Sequence, residues 1–279
     1  MRTLSFLLVI STLALASACT QIESSDEESK SETKTMKDNG LNEDGKYPTT
    51  EGPEPTEPEA TEKYEPVPPK VTPGDAFSAP PSDAVVLFDG TSLDGWEPAG
   101  EGSQAQWRLN DDGSMTVVPG TGDHQTKETF GSCQLHIEWK IPADIEGEGQ
   151  DRGNSGVFFQ GLYEVQILDN YENKTYVNGQ AGSLYKQHIP LVNACKPAGE
   201  WQSYDIVFRA PKFNEQGERT RAGRFTVFHN GVLIQDHVKI HGTGEYIGWP
   251  RNEAHGDGPL KLQDHDHAVS FRNIWYRPL

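Results

Sequence analysis

The sequence predicts an all-β fold, a two-sheet sandwich or jelly roll, preceded by a disordered tether. Three observations predict it. From about residue 83 onward the chain is a series of short apolar runs with period-two alternation, broken by Gly, Asn and Asp turn signals. No stretch of useful length carries the 3.6-residue apolar period of a helix. Between residues 20 and 82 large apolar residues nearly vanish, and acids and prolines take their place.

The elements follow in order. Arg2 and the apolar run "LSFLLVISTLALA" form a leader over residues 1–18, too short for an ordinary spanning helix. "ASAC", ending at Cys19, is similar to a bacterial lipobox, with Ala16 where leucine is usual. That pattern implies cleavage before Cys19 and lipidation of it. The expectation is an exported protein, anchored to the membrane through an N-terminal lipid in the cell envelope. Thr20 is not the aspartate that retains proteins at an inner membrane, so the periplasmic face of an outer membrane is expected.

Residues 19–82 read as the tether. Fifteen acids and six lysines lie between Thr20 and Pro80, half of the formal charge of −18. Such a segment cannot bury enough apolar surface to offset its ordering entropy. As a flexible coil of this length it would reach on the order of 40–50 Å. The remaining charge is also negative, which excludes nucleic acid as a partner.

The folded domain is expected over 83–279, opening at "DAVVLFDGTSLDGWEP". "QWRL" and "SMTVV" flank "NDDG", a hairpin signal. "CQLHIEWKI" puts Cys133, Leu135, Ile137 and Trp139 on one face and Gln134, His136, Glu138 and Lys140 on the other. "GVFF" and "YEVQI" are strands around one turn. "RFTVFHNGVLIQDHV" is a hairpin about Asn230-Gly231, and "VSFRNIWYRPL" closes the chain. Cys133 and Cys195 remain once Cys19 is lipidated, and the sequence leaves their pairing open.

Several strands carry polar side chains in phase. Glu164 and Gln166 share a face, and Tyr163, Val165 and Ile167 share the other. Tyr185 and Gln187 in "SLYKQ" are expected to share a face, as are Lys261, Gln263 and His265 in "LKLQDH". Amides, carboxylates and lysines on a concave sheet suit sugar hydroxyls, so an oligosaccharide or glycoside is the expected partner. Arg152 and Asn154, in the turn "QDRGNSG", are candidate binders of a sugar oxygen. No cofactor is demanded. Calcium at the acidic "DIEGEGQD", or a transition metal at His265 and His267, read as sharing a strand face, are the metal readings.

"LFDGTSLDGW", "RGNSGVFFQGLYEVQILD", "GSLYKQ", "GEWQSYDIVFRAPKF", "FHNGVLIQD" and "GPLKLQDHDHAVSFRNIWYRPL" together resemble the 3-keto-disaccharide hydrolase family over residues 84–279. The resemblance implies a concanavalin A-like β-sandwich of the lectin and glucanase type. It also implies cleavage of glycosides oxidised to a ketone at carbon 3. Departures from the family pattern are Asp266-His267, where small residues are expected, and Cys195. A 3-ketone acidifies the hydrogen on carbon 2, so one base, an enolate stabiliser and an acid suffice. Glu164 and His265 are the candidate proton-transfer pair, with Lys261 or Arg152 for the enolate. Gln166, Gln187, Tyr185, Asn154 and Gln263 are the candidate substrate binders. Two alternatives stand beside this: a non-catalytic lectin-like lipoprotein, and a two-carboxylate glycosidase pairing Glu164 with Glu138 or Asp264.

Overall fold

The computed structural model describes residues 56–62, 64–100 and 104–279. The leader, Cys19 and most of the expected tether lie outside the described residues. Among the described residues no helix is long and apolar enough to cross a membrane. The strands, in chain order, are β1 (Val85–Phe88), β2 (Trp96–Pro98), β3 (Arg108–Leu109), β4 (Met115–Thr116), β5 (His124–Phe130), β6 (Cys133–Lys140), β7 (Ser155–Phe159), β8 (Tyr163–Ile167), β9 (Gln202–Arg209), β10 (Lys212–Phe213), β11 (Arg219–Arg221), β12 (Arg224–His229), β13 (Val232–Lys239), β14 (Gly258–Leu262) and β15 (Ser270–Pro278). The helical turns among them are 3₁₀ and short, Pro58–Thr61 and Val177–Gly179.

Eight strands form the larger sheet, in the order β13-β12-β9-β6-β15-β4-β3 with β1 also paired to β15. Five form the smaller, β2-β5-β14-β7-β8, and β10-β11 is a separate ribbon. Neighbours run antiparallel throughout the smaller sheet. Leu135, Ile137 and Trp139 of β6 meet Val157, Phe159, Val165 and Ile167 of β7 and β8 in one buried core. The Phe159 ring lies 4.9 Å from Phe208 and 5.0 Å from Phe225 across that core. Tyr204 Oη donates to the Gln166 carbonyl at 2.8 Å, joining the two sheets. This is the concanavalin A-like sandwich the sequence predicts.

The local chemistry of the turns explains the pairings. Asn230 (φ 52°) and Gly231 (φ 79°) are both left-handed. Two such residues in a row make the turn whose twist matches antiparallel strands, here β12 and β13. The "NDDG" hairpin joins β3 and β4, closed by Asn110 N–H to Ser114 O at 2.8 Å. β15 is interior: it pairs with β6 on one side and with β1 and β4 on the other.

The last residues of the expected tether, 72–82, lie on the larger sheet. Thr72 and Ser82 exchange backbone and side-chain hydrogen bonds at 2.9 and 3.0 Å, closing a loop. The Ser78 carbonyl accepts from Asn273 Nδ2 (2.9 Å) and Trp275 Nε1 (3.0 Å). A proline-rich composition does not show this, because the contact is made by three acceptor and donor groups rather than by apolar burial. Cys133 and Cys195 are free thiols. Burial pushes the Cys195 thiol up to about 12 and raises that of Cys133 as well, so neither is set up as a nucleophile.

Candidate active site

Register places a row of side chains across the outer face of the smaller sheet. Glu97 faces Gln125, Gln125 faces Lys261, Lys261 faces Phe158, and Phe158 faces Glu164. Residues opposite one another on paired strands point the same way, so five strands contribute to one line. Lys261 Nζ lies 4.1 Å from the Phe158 ring centroid and 2.8 Å from Asp123 Oδ2. A second row runs beside the first. Gly156 faces Gln166, and Gln263 joins Gly156 through its N–H to the Gly156 carbonyl at 3.1 Å.

Gly156 makes room for the carboxyl of Glu164. A Cβ at that position would stand 2.6 Å from Glu164 Oε1 and 2.7 Å from Phe158 Cε2. Glu164 is only 7% exposed. Burial drives its pKa up to about 8, against the nearby Lys261 charge, which lowers it, while Asp123 raises it further. The Gln166 amide meets Glu164 Oε1 at 2.7 Å. With its nitrogen on that side it donates to the carboxylate. In that orientation it also donates to the Ser155 carbonyl at 3.1 Å.

Two loops wall the site. In one, Tyr176 Oη and Tyr185 Oη share a hydrogen bond of 2.7 Å. Burial raises both phenols, and the charge on Glu164 raises them further. Lys186 Nζ stands 5.7, 5.3 and 4.6 Å from the ring centroids of Tyr176, Tyr185 and Tyr246. In the other loop, residues 241–257, Gly244 passes over the Glu164 carboxyl: its Cβ position is 3.4 Å from Glu164 Oε2.

The structure brings together Glu164, Gln166, Lys261, Gln263 and Tyr185 of the expected site residues. Asn154 lies beside them, its Nδ2 donating to the Gln150 carbonyl at 2.9 Å. Arg152 is committed elsewhere, its Nε on Asp169 Oδ2 at 2.7 Å, so it holds its own turn. "SLYKQ" is a tight turn rather than a strand, with Lys186 left-handed (φ 57°) between the bridge residues Leu184 and His188. Tyr185 and Gln187 consequently do not share a strand face. Gln187 spends its amide on the loop, donating to Gly242 O (2.9 Å) and accepting from His241 N (2.8 Å).

β14 ends at Leu262, so His265 and His267 sit in a turn and not on a strand face. Asp266 is left-handed there (φ 59°), and Asp264 accepts from its N–H at 3.0 Å. His265 is exposed, and its ring stacks toward His267 at 6.3 Å rather than toward Glu164. Glu138 lies on the outer face of the larger sheet, bound to Arg272 Nε at 2.6 Å and Asn273 Nδ2 at 2.9 Å. The whole core separates it from Glu164, since packed sheets stand about 10 Å apart. It cannot form a carboxylate pair with Glu164. Asp264 Oδ2 accepts from Gly122 N at 2.9 Å and shapes the turn.

Among the described residues no group of three His, Cys, Asp or Glu is placed to hold a metal ion. Two open grooves lie away from this face. One, of about 430 Å³, runs between residues 73–81 and Trp275, and another, of about 340 Å³, lies among residues 91–109. Neither is lined by a buried carboxyl, whereas the face around Glu164 is. Sequence reasoning missed Asp123, Phe158, Tyr176, Lys186 and Tyr246. Phe158 sits in an apolar run that reads as core, and the others are lone polar or aromatic residues in loops.

Comparison with known proteins agrees with the fold. A crystal structure of a "putative glycosyl hydrolase" from Parabacteroides distasonis ATCC 8503 is 51% identical, with a TM-score of 0.76 over 82% of this chain and 99% of that one. A second structure of the same description and organism, at 21% identity and a TM-score of 0.52, covers 71% of this chain and 94% of that one and shares the fold. No curated protein matches. Residues 83–277 match the family model described as the 3-keto-alpha-glucoside-1,2-lyase-like domain. With the fold, the match across the whole sandwich and the 51% identical relative, the chain belongs to that family and is glycosyl hydrolase-like in its folded part.

Proposed function

We propose that the domain cleaves 3-keto-glycosides by elimination followed by hydration, with Glu164 as the base. The observation that carries this reading is a single buried carboxyl, raised to about 8, beside a lysine and facing out of a sheet. A desolvated carboxylate is a stronger base than one in water, which suits removal of a proton from carbon. A two-carboxylate glycosidase would need a second carboxyl about 5–9.5 Å away across a cleft. Of the two alternative partners, Glu138 is on the wrong face and Asp264 spends its carboxylate on Gly122 N and Asp266 N, while the nearby Asp123 is bound to Lys261 Nζ and Asp264 N.

Glu164 takes the proton from carbon 2, and the electron pair of that C–H bond forms the enolate with the 3-ketone. Lys261 stabilises the negative oxygen. The enolate collapses to restore the ketone, carbons 1 and 2 become doubly bonded, and the C1–O bond breaks toward the leaving group. The hydroxyl pair of Tyr185 and Tyr176 supplies the proton to the departing oxygen. Water then adds, its hydroxyl to carbon 1 and its proton to carbon 2, giving a free 3-keto sugar. Gln166 and Gln263 orient hydroxyls on the polar rows. The domain acts in the cell envelope, held by lipid on Cys19.

The test is product analysis with a 3-keto-disaccharide and its unoxidised parent. Release of a free 3-keto sugar from the oxidised substrate, and none from the parent, is expected. Equal cleavage of both would overturn the elimination.

A further inference from the structure

The loop over Glu164 carries an apolar tip that the fold does not use. Its base is braced. Thr243 N donates to Arg251 O at 2.9 Å, and Arg251 N donates to Thr243 Oγ1 at 3.1 Å. Gln187 holds Gly242, and Lys186 Nζ donates to Tyr246 O at 2.5 Å. Beyond these bonds the side chains stand in water: Tyr246 is 74%, Ile247 81% and Trp249 90% exposed. A tryptophan is among the largest apolar side chains, and leaving one in solvent forgoes burial that folding would otherwise exploit. A braced loop that holds three such residues outward marks a contact surface.

Position decides the contact. Gly244, two residues before Tyr246, lies against Glu164. The Tyr246 ring shares Lys186 with Tyr176 and Tyr185, the phenols that sense the Glu164 charge. The tip therefore continues the wall of the reaction site outward. Its chemistry decides the occupant. Residues 246–250 are Tyr-Ile-Gly-Trp-Pro, with no charged side chain, no amide and one phenolic hydroxyl. A second sugar ring needs partners for its hydroxyls, and this surface offers almost none. An aromatic or hydrophobic ring needs area and a π-face, which it offers twice.

We propose that Tyr246, Ile247 and Trp249 form the leaving-group subsite, and that it selects glycosides with an aromatic or apolar aglycone. This rests on the elimination reading of the same site. The experiment uses the full chain, wild type and Trp249→Ala, with the 3-keto-glucosides of benzyl alcohol and methanol in the same anomeric form and with a 3-keto-disaccharide. Benzyl and methyl alcohols are of similar acidity, so the bond-breaking step is comparable. Trp249→Ala is expected to lower kcat/KM for the benzyl glycoside roughly tenfold more than for the methyl glycoside, through KM, as the loss of one aromatic contact does. Equal loss on both, or the largest loss on the disaccharide, would overturn the subsite. If the wild type turns over none of the three, the proposed reaction fails and the subsite is judged by binding alone. Calorimetry with benzyl glucoside should then show roughly tenfold weaker binding to Trp249→Ala, and equal binding would overturn it.

Discussion

The carboxyl of Glu164 is withdrawn from water by the same strand that aims it outward. Tyr163 and Val165 on either side are buried in the core, and loop 241–257 is tied to the strand by Gly244 N–H to Leu162 O at 3.3 Å and by Tyr163 Oη with His255 Nε2 at 2.6 Å. Burial lifts the carboxyl to about 8, and Lys261 limits the rise. Glu164→Gln keeps the shape and the amide contact but removes the proposed base. Turnover is expected to fall by about 10²–10⁴-fold with folding intact, checked by kinetics and circular dichroism. For the wild type, kcat/KM should climb with pH and level off above about 8, since the proposed base works only when deprotonated. Gly156 is the second decisive position. In Gly156→Ala the new Cβ meets Glu164 Oε1 at 2.6 Å and must push it aside. A misplaced catalytic group costs about 10²-fold, while such overpacking costs about 1–3 kcal/mol of stability. Kinetics and thermal melting on one sample separate the two.

Strand β15 supports most of the larger sheet. Residues 275 and 276 pair with Val86 and Val85 on one side and with His136 and Leu135 on the other. Trp275 also stacks on His136 and donates to the Ser78 carbonyl that pins residues 72–82. Deleting residues 275–279 removes two large aromatics, about 2–3 kcal/mol each, and several ladder bonds, about 1 kcal/mol each. That sum is comparable to a domain's whole margin of about 5–15 kcal/mol. The truncated chain should show no cooperative transition in calorimetry.

Among the described residues, His136, Glu138, Glu164 and His229 are strongly displaced; burial, with the Lys196 charge, holds His229 neutral down to about 3, so the stability it allows is lost as pH falls below 6.5. Burial disfavours charge on both His136 and Glu138, but their hydrogen bonds win: Asp205 and Glu138 hold His136 at about 9, and His136, Asn273 and Arg272 hold Glu138 at about 2. Glu138 therefore stabilises the fold above about 4.5, a contribution lost as pH falls through about 2. His136 stabilises it fully below 6.5, a contribution lost as pH rises through about 9. Glu164, raised from 4.5 to about 8, favours the folded state when protonated, so its contribution fades between those values. Melting temperature is expected to peak in mildly acid buffer and decline toward pH 9. The decline should be shallower in Glu164→Gln. The pH that frees the Glu164 carboxylate is the pH at which the fold is weakening.

Alternation, turn chemistry and apolar runs are local, and they made the sandwich, the outward aim of Glu164 and Gln166, and the hairpin at Asn230-Gly231 legible in the sequence. Their reach ends where a strand ends. His265 and His267 continue the alternation of "LKLQDH" on paper, but β14 ends at Leu262 and Asp266 beyond it is left-handed, so the apparent phase with Lys261 is lost. Lys186 turns "SLYKQ" in the same way. Pairing between distant strands is a property of register, so the line from Glu97 to Glu164 exists only once β2, β5, β14, β7 and β8 are laid side by side. The burial that lifts Glu164, and the loop that covers it and extends to Trp249, likewise come from segments some eighty residues away in the chain. Chain-local patterns name the strands and the faces of their side chains, whereas long-range packing decides which of those faces meet, which are covered and what charge they carry.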